Sequence, residues 1–275
     1  MTTPQIPPAP RAIQKGTPLK HLLGPEAVAC LARNIALVYP EFDGDAFVHS
    51  AVDGLEPLGL MERGRKLAAV LRDFLPGSYP AAIEILIASL TPPLSDTEDL
   101  GLEVLFYLPH VIFVADYGLD AEDFEVSMRA QYELTRRFSA EFSIRPFLIQ
   151  YQDRTLARLA EWLSDPDPHV RRLCSEGTRP RLPWARRIPA FVADPRPVLP
   201  LLEALKDDPV LYVRRSVANH IGDIAKDHPA LAFEICERWL EGASGERKWL
   251  IRHALRHPAK KGNEIALRLR TAAKI

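Results

Sequence analysis

Two stretches of this chain concentrate positive charge. Residues 171–187 carry Arg171, Arg172, Arg179, Arg181, Arg186 and Arg187 against one acid, Glu176, and residues 247–261 carry Arg247, Lys248, Arg252, Arg256, Lys260 and Lys261 against none. Lys and Arg without local counter-charges neutralise phosphates and release counterions, so the clusters point to salt-sensitive binding of nucleic acid. Trp184 and Trp249 are interleaved with them. Asp223 follows Arg215 and Asn219 at successive four-residue steps on one helix face, while Val213, Val217, Ile221 and Ile224 mark the buried face. Such a polar stripe is either a site or a hydrogen-bond ladder between neighbouring helices. Glu141 lies four residues from both Arg137 and Arg145, the spacing of an ordinary helical ion pair.

Other chemistries find no support. His169, His220 and His228 lack ligand spacing, His253 and His257 have no third partner, and Cys30, Cys174 and Cys236 are scattered. No metal site is expected. There is no glycine-rich phosphate loop and no serine in a nucleophile elbow.

The elements that carry these residues repeat. The segment from Leu159 to Arg172, with Asp165-Pro166-Asp167-Pro168 and then Val170-Arg171-Arg172, is echoed from Leu202 to Arg215, with Asp207-Asp208-Pro209 and then Val213-Arg214-Arg215. The Val-Arg-Arg triplets are 43 residues apart, and a weaker third copy runs from Trp239 through Ile251. A period in the forties is that of HEAT and armadillo units. Each unit reads as an outer helix, an Asp-Pro turn whose aspartate caps the next helix, and an inner helix opening with basic residues. Stacked inner helices would set Arg172, Arg215 and Lys248 at equivalent places on a concave face, or leave them to pair with the turn aspartates of neighbours. Further upstream, Val28, Leu31, Ile35 and Val38, and then Leu67, Val70, Leu71 and Leu75, keep helical spacing between turns such as Leu75-Pro76-Gly77. An all-α, HEAT-like superhelical solenoid over residues 25–275 is expected, after a proline-rich tail or loose lead-in over residues 1–24.

Charge divides with the chain. Residues 1–140 hold 11 Lys and Arg against 19 Asp and Glu, whereas residues 141–275 hold 24 against 17, so the net charge of −1 conceals a basic half. At 47% hydrophobic the chain can bury a large core. The longest apolar run, Val104 to Ala115, is interrupted by Pro109 and His110 and is too short to cross a bilayer. The proline-rich start does not read as a signal peptide, and reduced cysteines are expected, in a cytoplasmic or nucleoid-associated protein.

Three blocks carry a family resemblance. The stretch Arg136-Arg137-Phe138-Ser139-Ala140-Glu141-Phe142-Ser143-Ile144-Arg145-Pro146-Phe147, the stretch from Asp165 through Ser175-Glu176-Gly177-Thr178-Arg179-Pro180-Arg181-Leu182-Pro183-Trp184, and that from Val213 through Asp223 to Asp227 resemble the AlkC branch of the HEAT-like DNA glycosylases. The middle block is far more specific than a generic HEAT unit. The resemblance, to a short form without a C-terminal immunoglobulin-like domain, implies a monomer that removes N3-alkylated bases, 3-methyladenine and 3-methylcytosine, from double-stranded DNA without a metal or organic cofactor. It also implies action without swinging the lesion into a deep pocket. By resemblance the active-site positions are Glu141, Trp184 and Asp223. A carboxylate would stabilise an oxocarbenium-like sugar and position water, and an indole face would attract a cationic base or lean on the deoxyribose. Arg172, Arg179, Arg181, Arg186, Arg215, Lys248 and Arg252 are the expected DNA contacts. The competing reading is a non-catalytic HEAT adaptor for nucleic acid or an acidic protein. Acids on a phosphate-binding face repel DNA, which favours the enzyme.

Overall fold

The structure, a computed structural model, describes residues 5–8, 17–98 and 102–274. It is all-helical, with no strand among the described residues. The chain forms two compact units, residues 1–144 and 145–275. The change in charge falls at this division: the first unit has 20 acids against 11 basic residues, the second 16 against 24.

The first unit contains α1 (Pro25–Ala36), α2 (Gly44–Val52), α3 (Leu60–Phe74), α4 (Tyr79–Ala88), α5 (Leu108–Tyr117) and α6 (Phe124–Thr135). Pro25 opens α1, and the Asp43 carboxylate caps α2 by accepting from Ala46 N at 3.0 Å. Helices α1 and α2 pack together, as do α3 and α5, around Val28, Leu31, Ile35, Phe47, Leu67, Leu71 and Phe113. The lead-in is not uniformly loose. Ile6 is 6% exposed, Pro7 O accepts from Asn34, and Leu19–Leu23 is a short 3-10 helix whose Lys20 and Leu23 carbonyls accept from buried Arg63. Residues 1–4 and 9–16 of that stretch lie outside the described residues.

After α7 (Ile144–Gln150), which spans the division, come α8 (Gln152–Glu161), α9 (Pro168–Glu176), α10 (Pro189–Ala193), α11 (Leu199–Leu205), α12 (Leu211–Asp227), α13 (Pro229–Leu240), α14 (Gly245–Ala254), α15 (Arg256–Lys260) and α16 (Glu264–Ala272). The three expected repeats are the pairs α8 and α9, α11 and α12, and α13 and α14. The inner helices α9, α12 and α14 lie side by side with α12 in the middle. Asp167 caps α9 through His169 N at 2.9 Å and Ser244 caps α14 through Arg247 N at 3.2 Å. At Gly222 a Cβ would sit 3.1 Å from the Ala254 carbonyl, so α12 approaches α14 closely where a side chain would have to push it away.

Turn aspartates join successive repeats. Arg171 donates through Nε and Nη2 to the two oxygens of Asp208 at 2.6 and 3.1 Å, and Arg247 pairs with Asp207. Asp208 also accepts from Val210 N at 2.9 Å, so one carboxylate both fixes the turn and ties it to the preceding repeat.

Candidate active site

The polar face of α12 does not present bare acids to solvent. Asp223 is 2% exposed; its Oδ2 accepts from Arg179 Nε at 2.8 Å and its Oδ1 from Lys226 Nζ at 2.7 Å. Arg179 reaches the other way, through Nη1, to Glu176 Oε1 at 2.6 Å, while Glu176 Oε2 accepts from Ser216 Oγ at 2.6 Å. Arg172 stands 3.4 Å from Glu176, with its guanidinium over the Tyr212 ring at 4.9 Å. A chain of alternating charge, Arg172, Glu176, Arg179, Asp223 and Lys226, thus runs from α9 through the following loop to α12. Burial pushes the Glu176 carboxyl up, and Arg172, Arg179 and Ser216 outweigh it, holding the group below the usual carboxylate range. Burial also opposes the Arg179 charge, and Glu176 and Asp223 outweigh that in turn.

A second set of groups borders α12. Asn219 Oδ1 accepts from Arg256 Nη2 at 2.9 Å and stands 3.2 Å from His253 Nε2, and the His253 ring stacks on Trp249 with centroids 4.9 Å apart. Burial and the neighbouring Arg179 charge depress Arg256, and Asp223 partly restores it.

Trp184 sits in the loop between α9 and α10 and is 69% exposed, not half-buried in packing. Its φ of +62° places a bulky residue in the left-handed region, at a cost of about 1–2 kcal/mol. The loop that imposes this is pinned from several sides. Arg145, on α7, donates to the carbonyls of Gly177, Arg179 and Arg186; Arg181 grips both oxygens of Asp227 at 2.6 Å; and Leu182 is buried. The indole is therefore held outward by a rigid frame.

Glu141 belongs to the first unit and lies in a turn between α6 and α7 rather than within a helix. Its Oε2 accepts from Ser139 Oγ at 2.8 Å. Arg137 binds Glu133 and the Thr91 carbonyl.

The expected DNA contacts divide in two. Arg172, Arg179 and Arg181 are engaged by Glu176, Asp223 and Asp227, which corrects the expectation of unpaired charge, and Arg252 donates to the Ala273 carbonyl. Arg186 and Arg215 are exposed and Lys248 half-buried, and none has a carboxylate partner among the described residues. Glu176 is the participant that sequence reasoning missed. Its spacing, four residues after Arg172 and three before Arg179, was the available signal. Among the described residues no three His, Cys, Asp or Glu side chains gather so as to hold a metal ion, and no helix is long and apolar enough to cross a membrane.

No protein-family model matches the chain. It is similar to the solved structure of Pseudomonas fluorescens alkylpurine DNA glycosylase AlkC bound to DNA containing an abasic site analog, at 40% identity over 92% of this chain and 67% of that one, with a TM-score of 0.81. It is also 38% identical over 252 residues to the uncharacterized protein YhaZ of Bacillus subtilis (strain 168), covering 91% of this chain and 67% of that protein.

Proposed function

Because the chain belongs to the AlkC family of DNA glycosylases, we propose that it removes N3-alkylated bases, 3-methyladenine and 3-methylcytosine, from double-stranded DNA by hydrolysing the N-glycosidic bond without a metal. Alkylation at N3 makes the base cationic and a good leaving group. The enzyme's task is then to stabilise positive charge developing on the sugar and to position water, which a carboxylate performs. Asp223 and Glu141 are the proposed acids, and Trp184 offers its face to the cationic base or the deoxyribose. Arg186, Arg215 and Lys248 meet phosphates. The observation that carries this reading is the strained, outward Trp184, held on a loop tied by Arg179 to the carboxylate of Asp223. An adaptor has no use for that strain or for buried acids beneath a basic face. The related structure holds an abasic site analog, the kind of product such a reaction leaves.

The test is incubation with oligonucleotide duplexes carrying a single 3-methylcytosine or 3-methyladenine, followed by alkaline cleavage. Strand scission at the lesion, undiminished by a chelator, is expected; intact strands in both duplexes would reject the reading. Affinity should fall with salt, and Arg215→Gln should lessen the slope of log affinity on log salt by about one.

A further inference from the structure

We propose that Arg179 is a positioning residue for this site, a yoke whose single guanidinium holds Glu176 of α9 and Asp223 of α12 in one fixed arrangement. The inference rests on the glycosylase reading for its consequence, but its geometry stands alone. Arg179 is 8% exposed, so it is not a phosphate contact in this arrangement. Its Nη1 and Nε reach the two acids at 2.6 and 2.8 Å, and its own carbonyl is gripped by Arg145 at 2.8 Å, so both ends of the residue are fixed. It stands five residues before Trp184 and couples the indole-bearing loop to both carboxylates.

The need for such a group follows from electrostatics. Two carboxylates converging in a buried place repel, and one of them takes up a proton unless a cation stands between. Lysine cannot replace the arginine here, because a point charge on a flexible stem lacks the planar fork that reaches two partners at once. The other charged and polar groups facing the pair are few. Glu176 also meets Arg172 on its own helix and Ser216 and His220 on α12; Asp223 also meets Lys226 and His220 on its own helix, Arg181 on the loop and Arg256 on α15. Of these only His220 lies near both acids, and its ring bonds to the Ser175 carbonyl rather than to either of them.

The experiment measures single-turnover excision against pH, with DNA affinity, for the wild type, Arg179→Lys and Arg179→Met. The Met variant should lose at least about tenfold in rate, with the acid limb of its profile moved up by about one pH unit and affinity changed only a few-fold. The Lys variant keeps the charge but not the fork, so its acid limb should stay with the wild type while its plateau falls about tenfold. Folded variants with wild-type plateaus and limbs overturn the proposal. Should the Met variant fail to fold, the Glu176 carboxyl carbon is followed by NMR titration in the absence of DNA. Its midpoint should lie below 4.5 and fall further in Asp223→Asn, where the guanidinium is left wholly to Glu176. A midpoint at or above 4.5, or one unmoved by that substitution, also overturns the yoke. If the wild type cleaves no alkylated duplex, the glycosylase reading fails while the titration still decides the yoke.

Discussion

Asp223 shows why a single substitution is hard to interpret at this site. Asp223→Asn should slow excision on the order of 100-fold while DNA binding persists, but it also strips a buried guanidinium of a partner, so the melting temperature should fall as well. The double variant Asp223→Asn with Arg179→Met separates the effects, because removing both members of a buried pair restores much of the stability that removing one destroys. Recovery of the fold without recovery of excision is the expected outcome; recovery of both would reduce Asp223 to a strut. Trp184 invites the opposite trade. Trp184→Gly relieves the left-handed backbone and should hold or raise the melting temperature by a few degrees, yet excision should collapse, since the indole is gone. A glycine variant that excises normally would remove the indole from the mechanism. The charge of Arg171, Arg179 and Arg181 was legible in the sequence, but their pairing was not. Counting charge in a linear window finds one acid, whereas Asp208, Asp223 and Asp227 lie 37, 44 and 46 residues beyond the arginines they hold, about one repeat away.

At the scale of elements, the Val-Arg-Arg triplets predicted the repeat because each copy must solve the same problem, starting an inner helix and tying its turn to a neighbour. The first arginine of the first triplet meets the aspartate of the next turn, and Arg247 meets Asp207 from the third copy. A double-mutant cycle on Arg171→Ala and Asp208→Ala should show a coupling of about 1–2 kcal/mol by thermal or denaturant unfolding. Additive losses would mean that the contact carries no energy of its own. What the pattern could not disclose was the packing of Ile6, one apolar residue among prolines with no period to announce it. Nor could it disclose the loop carrying Trp184, whose shape is dictated by Arg145 reaching in from a helix more than 30 residues away.

The whole molecule divides where its charge does, and each unit buries a histidine that charge counting ignores. Burial depresses His110 to about 3 in the first unit, and burial with the nearby Arg179 charge depresses His220 to about 4 in the second. Both rings are neutral in the fold but take a proton when unfolded below 6.5, so the unfolded chain binds more protons and stability falls as the pH drops below that value. For His110 the loss amounts to about 2 kcal/mol at about pH 5. His110→Phe should narrow the gap between melting temperatures at about pH 7.5 and about pH 5; an unchanged gap would place the acid sensitivity elsewhere. Finally, α12 is packed between α9 and α14 within the second unit, with buried residues along its length. In deuterium exchange its amides should be the last of that unit to lose protection, because opening it requires both neighbours to part. The acid on α12 should therefore ride on the slowest-exchanging helix of its unit, and fraying of α16 should spread to the chemistry only when the unit opens as a whole.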